Sequence, residues 1–190
     1  MNVPIDISTK SLTTSRLTLR PFCQEDLDDF FEYASVDGVG QMAGWNPHKS
    51  KAETQRILDS FIKHKKTFAL VHKGKVIGSL GIEEYDDEKY PEFADKKCRQ
   101  LGFVLSKAYW GQGLMPEAVN EVIRFLFEEI GLDVIFCGYF SSNRQSGRVQ
   151  EKCGFRYYTS ETHDTQIGTI ADCILNILTK QDYLTNQIHN

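Results

Sequence analysis

Apolar and polar positions alternate along this chain in two rhythms, one of period two and one of period three to four. Residues 15–21 set Leu17 and Leu19 against Arg16, Thr18 and Arg20, which predicts an amphipathic strand. Residues 24–33 carry Leu27, Phe30 and Phe31 at helical spacing, with Glu25, Asp26, Asp28 and Asp29 toward the start, where acids favour the helix dipole. A glycine-bearing loop over 35–47 ends in Trp45-Asn46-Pro47-His48, and a second helix is expected over 51–64 on Ile57, Leu58, Phe61 and Ile62. Residues 67–72 and 75–84 read as a hairpin turning at Lys73-Gly74. The charged stretch 83–97 reads as a solvated loop, or alternatively as an acidic lip for a cationic substrate.

The apolar run 101–105 predicts a buried strand. A helix follows over 116–130, with Pro116 in its first turn, a broad apolar face from Ala118 to Ile130, and Gly131 as its stop. Residues 133–140 form a continuous apolar strand, Asn143 caps a short helix ending at Cys153-Gly154, and strands follow over 155–160 and 167–179. The order is β-α-α-β-β-β-α-β-α-β-β. A strand–helix–strand unit over 101–140 implies a parallel pair with a right-handed crossover, and the hairpins imply antiparallel neighbours. The fold class is therefore α/β (α+β), a central mixed sheet with helices on both faces. One domain over 1–190 is expected, with its core at about 15–180.

Composition narrows the function little. Of 190 residues 41% are hydrophobic and 25% charged, ordinary for a globular chain. A net charge of −4 argues against a broad grip on nucleic acid. Five scattered cysteines without a C-x-x-C suggest free thiols in a reducing compartment. With no apolar leader or membrane-length run, a cytoplasmic protein is expected. No His/Cys cluster has metal-ligand spacing, so no metal is expected.

The chemistry concentrates at Trp110-Gly111-Gln112-Gly113-Leu114-Met115, between the strand 101–105 and its helix. Unpartnered amides at a helix N-terminus favour an anion, so a phosphate-bearing ligand is expected there; a mere tight turn is the alternative. No Lys-Ser/Thr follows the glycines, and the third glycine of a dinucleotide fingerprint would fall on Pro116, so neither nucleotide motif fits.

Four segments together resemble the GCN5-related N-acetyltransferases, and more closely the branch of ribosomal-protein N-terminal alanine/serine acetyltransferases. They are SRLTLRPFCQEDLDDF from Ser15, AGWNPH from Ala43, LGFVLSKAYWGQGLMPEAV from Leu101, and Asn143-x-x-Ser146-x-Arg148-Val149 followed by Lys152-Cys153-Gly154-Phe155. The resemblance implies acetyl-CoA as donor, with its pyrophosphate on the amides of Gly111, Gln112, Gly113, Leu114 and Met115. Trp110 and Met115 depart from the family's loop pattern, but neither change removes a backbone N–H. The resemblance also implies a splayed central strand, with main-chain groups of Phe103, Val104 and Leu105 along pantetheine and the Leu105 N–H as an oxyanion donor.

The implied reaction is direct attack by a primary amine, either a protein N-terminal α-amine or a small-molecule amine. A lysine has a pKa of roughly 10.4 and an α-amine roughly 7.7–8.0, so a base must take a proton. The branch often places a glutamate where this chain has Gln100, which leaves Glu83 and Glu84 at the end of the preceding strand, and His48, as candidates. Ser146 matches the branch's hydrogen-bond donor to the leaving thiolate, where other members use a tyrosine at the position of Gln150; a local backbone bond is its alternative role. Asn143 is implied to touch the pantetheine amides besides capping its helix. Cys153 reads as a packing residue. The non-ionisable Gln100 and Gln150 motivate a second possibility, a CoA-binding sensor or scaffold without catalysis. Acetyl-CoA and an amine acceptor are the implied partners, with a homodimer as one possible assembly.

Overall fold

The computed structural model describes residues 1–165 and 168–188. Eight strands form one sheet in the order β1-β2-β3-β4-β5-β6-β8-β7. They are β1 (Leu12–Thr13), β2 (Thr18–Pro21), β3 (Thr67–His72), β4 (Lys75–Glu83), β5 (Cys98–Leu105), β6 (Val134–Phe140), β7 (Arg156–Asp164) and β8 (Ile170–Thr179). Every neighbouring pair is antiparallel except β5–β6, the pair that the strand–helix–strand reading makes parallel. Ile167, where the last strand was expected to begin, lies outside the described residues.

Helices α1 (Leu27–Ala34) and α2 (Lys51–His64) cover one face of β3–β5. Their Phe30, Tyr33 and Leu58 pack with Ala69 and Val76 of the sheet. Helix α2 starts at Ser50, whose side chain accepts the Glu53 N–H. The opposite face carries α3 (Leu114–Arg124) and α4 (Arg144–Lys152). Val119, Val122 and Leu126 bury against Leu80, Ile82 and Leu101 there. Burying such a side chain contributes roughly 1.5–3 kcal/mol. Past Arg124 the helix widens into a π-type segment, Phe125–Ile130, and closes when Leu132 N–H reaches Leu126 O at 3.0 Å.

Besides the short edge strand β1, which the sequence reading lacked, two regions differ from expectation. The stretch 83–97 is more than a solvated loop. Asp86, Asp87 and Glu88 are exposed, but Tyr85 and Tyr90 are buried and stack on Phe136 at 5.5 and 6.0 Å. Phe93 meets the same ring edge-on at 5.0 Å. These aromatics close the helix face of the sheet beyond α1 and α2; their irregular spacing among charges hides them from a periodicity argument. The second difference is a C-terminal helix, α5 (Lys180–Ile188), whose Tyr183 ring sits 5.1 Å from Phe127. It buries no residue fully and has little amphipathic pattern to announce it. Among the described residues, no helix is long and apolar enough to cross a membrane.

Candidate active site

β5 and β6 pair only from Cys98↔Val134 to Leu101↔Cys137, although both strands run further. Beyond that point they diverge and open the sheet. Ser106 gives its N–H to Ile77 O at 2.7 Å, so the even-numbered residues of β5 address β4. The odd-numbered Phe103 and Leu105 therefore turn their amide groups toward the gap, whereas the Val104 main chain, expected along pantetheine, faces Ser79 of β4 instead. The Leu105 carbonyl is occupied by Trp110 Nε1 at 2.8 Å, which ties the strand end to the following bend. The gap is the centre of a cleft of about 600 Å³.

At one end of the cleft is the glycine bend. Gly111 and Gly113 both have φ +75°, in the left-handed region where a side chain strains the backbone. Gly113 caps α3 with no side-chain bond. Among the described residues, none accepts a hydrogen bond from the N–H groups of Gly111, Gln112, Gly113, Leu114 or Met115. Glu117 is the first to turn back, to Gly113 O at 3.4 Å. Five free amides at the positive end of an 11-residue helix form an anion site.

The bend is braced from the N-terminal strand. Arg16 Nη1 donates to Gln112 O at 2.8 Å, and Glu117 holds Arg16 Nε at 2.7 Å while accepting from Thr14 and Ser15 hydroxyls. Burial opposes ionisation of Glu117, but these hydrogen bonds outweigh it and bring its pKa down to about 2. Across from the bend, Arg148 and Lys152 stand one turn apart on α4 and line the cleft.

In the middle lies the start of α4. Asn143 Oδ1 accepts Ser146 N–H at 3.2 Å, and Asn143 Nδ2 donates to Met42 O at 3.1 Å. One side chain thus caps the helix and fastens the turn Gly40–Ala43 across the gap. Ser146 is half-buried, and its Oγ accepts from Gln150 Nε2 at 3.3 Å. Among the described residues no main-chain carbonyl takes a bond from its Oγ, the alternative its position in a helix raises.

The far end is made of side chains from distant parts of the chain. Glu161 and His163 on β7, Cys173 and Leu175 on β8, Gln100, Phe140 and Met42 all line it. Glu161 accepts the Tyr90 hydroxyl and pairs with Lys89. Burial works against its ionisation, yet Lys89 and Tyr90 hold its carboxyl below the ordinary value.

The structure brings together most of the residues singled out in the sequence. Phe103, Val104, Leu105, Gly111, Gly113, Leu114, Met115, Asn143 and Ser146 all line the cleft. The Gln112 side chain turns away to Ala108 O at 3.1 Å, leaving only its backbone at the bend. Glu83 and His48 do not line it. Glu83 sits beside Gln100 at the end of β4 and pairs with Lys66 at 2.5 Å. His48 bonds Thr54 Oγ1 at 2.9 Å between the rings of Phe30 and Trp45, and burial lowers its pKa. Cys153 packs beneath α3, where burial pushes its thiol up to about 12. Arg148 and Lys152 stood in the quoted family segment without a site role, although their i, i+4 spacing was legible, and sequence reasoning missed Glu161 and His163, whose strand runs past the expected end at 160.

Residues 16–156 match the family model described as the acetyltransferase (GNAT) domain. Among curated proteins, an uncharacterized N-acetyltransferase p20 of Bacillus licheniformis is 24% identical over 182 residues, covering 92% of this chain and 98% of that protein. Among solved structures, a GNAT-family acetyltransferase from Bacillus anthracis superposes with a TM-score of 0.79 at 20% identity, covering 90% of this chain and 99% of the other. A ribosomal-protein-S5-alanine acetyltransferase from Vibrio fischeri reaches 0.70 at 22% identity, covering 92% and 98%. With the splayed parallel pair and the bare amide bend in place, and three-quarters of its length matched by the family model, the chain belongs to the GNAT family of acetyltransferases.

Proposed function

We propose that this enzyme transfers acetyl from acetyl-CoA to a primary amine by direct attack, the acceptor being a protein N-terminal α-amine or a small-molecule amine. The observation that carries the reading is the run of five free amides from Gly111 to Met115 at the mouth of the opened β5–β6 gap. These amides hold the pyrophosphate, and Arg148 and Lys152 add positive charge for the remaining phosphate. Phe103 and Leu105 offer main-chain partners to the pantetheine arm, and the Leu105 N–H is aimed to hold the thioester oxygen as charge builds on it. Asn143 orders the start of α4 beside that arm.

The acceptor enters from the β7–β8 end. His163 takes the proton lost by the amine; it replaces Glu83 and His48 in this role because it lines the cleft and they do not. Ser146 O–H bonds the departing sulfur. Glu161, already committed to Lys89 and Tyr90, shapes the wall rather than serving as base. The five cysteines are free thiols, in keeping with a cytoplasmic site of action.

The test is release of CoA thiol from acetyl-CoA in the presence of peptides with N-terminal Ala or Ser, spermidine, and an aminoglycoside. Release above the acceptor-free rate with one of these supports transfer and names the acceptor class. CoA binding with no release from any of them contradicts it in favour of a binding module.

A further inference from the structure

Behind Ser146 runs a short chain of buried amides that no step above uses. Gln150, one turn along α4, has no exposed surface, and Asn176 on β8 is 8% exposed. Asn176 Nδ2 donates to Gln150 Oε1 at 2.9 Å. Gln150 Nε2 therefore faces the other way, to Ser146 Oγ at 3.3 Å and Gly138 O at 3.5 Å. Two polar side chains buried in an otherwise apolar layer are costly unless their bonds are made, so this orientation is held by its partners.

We infer that the Asn176–Gln150 pair is a positioning device that sets the direction of the Ser146 hydroxyl. A hydroxyl has one proton and two lone pairs. Gln150 occupies a lone pair by donating to it. The backbone carbonyl one turn back, the usual competitor for a helical serine proton, is not used. The proton is left directed into the cleft, where it donates to the sulfur as the C–S bond breaks and the C–N bond forms. No proton is transferred along the pair: the amine's proton leaves by the base, and Ser146 contributes a hydrogen bond only. The inference rests on the proposed role of Ser146 and says how that role is enforced. It also accounts for a non-ionisable Gln150 where a tyrosine acid stands in other members: here the residue orients a donor instead of being one.

Gln150→Glu reverses the arrangement at nearly constant shape. A carboxylate can only accept, so it draws the Ser146 proton away from the cleft. The first readout needs no acceptor: the thiol pKa of bound CoA, followed by ultraviolet thiolate absorbance as the difference between the CoA and desulfo-CoA complexes, which subtracts the protein's own cysteines. A hydrogen bond to the thiolate lowers that pKa. Ser146→Ala and Gln150→Glu are each expected to raise it by about one pH unit, equivalent to roughly tenfold in thiolate stabilisation. The double variant Ser146→Ala with Gln150→Met, which adds no charge to act on the thiolate directly, should raise it no further than Ser146→Ala alone, because Gln150 acts only through Ser146. The second readout is kcat with the acceptor peptide or amine found above, expected to fall roughly tenfold in each single variant and no more in the double, with CoA affinity within about twofold. Gln150→Met serves as the control for folding: it removes the donor without adding a charge and should give a smaller loss in the same direction.

If Ser146→Ala leaves both readouts unchanged, the role of Ser146 falls and this inference with it. If Ser146→Ala changes them but Gln150→Glu does not, or if the double variant is additive, Ser146 stands and the positioning pair is refuted.

Discussion

In the half of the cleft proposed for the donor, the groups that face the opening are backbone N–H groups: those of Gly111–Met115, and those that Phe103 and Leu105 turn toward the gap. In the half proposed for the acceptor they are side chains, namely His163, Glu161, Cys173, Gln100 and Met42, drawn from four separate segments. The first half depends on chain geometry, on two glycines at φ +75° and a helix start with nothing to cap it. The second depends on which strands happen to be neighbours. A backbone site tolerates replacement of almost every side chain around it, provided the bend keeps its shape. A side-chain site can be rewritten by single substitutions without disturbing the sheet. One fold can thus keep one donor and accept many different amines.

That contrast can be broken or sharpened by substitution. The largest effect belongs to the acceptor half: His163→Gln should lower kcat/KM roughly 100-fold, with CoA affinity unchanged in calorimetry. Loss of activity through weaker CoA binding would erase the division between the halves.

Next is the brace of the donor half. Glu117 ionises at about 2 in the folded chain against an ordinary 4.5. Its contribution is therefore fully present above pH 4.5 and is lost as the pH falls toward 2. Glu117→Gln should cost on the order of 2 kcal/mol at pH 7 in urea unfolding, allowing for the exposure of its partner Arg16. The deficit should shrink steadily below pH 4.5. A deficit independent of pH would mean that the carboxylate charge is not what holds Arg16 and Gln112.

Third, Gly113→Val forces a β-branched residue to φ +75° and sets its Cβ 3.5 Å from the Arg16 guanidinium. CoA affinity should fall roughly 30-fold while the acceptor KM, measured at saturating donor, stays put. Ser146→Ala should follow, with kcat down roughly tenfold and CoA affinity within about twofold. Smallest of all, Glu83→Gln removes only a half-exposed ion pair with Lys66 and should alter kcat less than about twofold. A large loss there would return Glu83 to the list of bases.

The same contrast explains what could be read from the chain before its structure. The amide bend was legible because glycine, proline and an apolar helical stripe are local signals, set within about a dozen residues of each other. The mixed sheet followed from a strand–helix–strand unit flanked by hairpins. Asn143 as a cap and Gly131 as a stop were likewise visible in their own neighbourhoods. His163 was not, because it faces the cleft only once β7 is laid against β8, with Ala171 opposite it. Gln150 and Asn176 lie 26 residues apart, and nothing in either segment announces that they meet. Tyr85, Tyr90 and Phe93 were hidden for the same reason, being scattered among charges and united only by Phe136. Local chemistry reveals a site made of backbone; a site made of converging side chains waits for the fold.

The most direct test of the account is residue-resolved amide spectroscopy of the bend as CoA is added. The amide resonances of Gly111, Gln112, Gly113, Leu114 and Met115 should shift downfield together and gain protection from solvent exchange, with desulfo-CoA producing the same change. Saturated CoA binding that leaves those five amides unshifted and unprotected would contradict it.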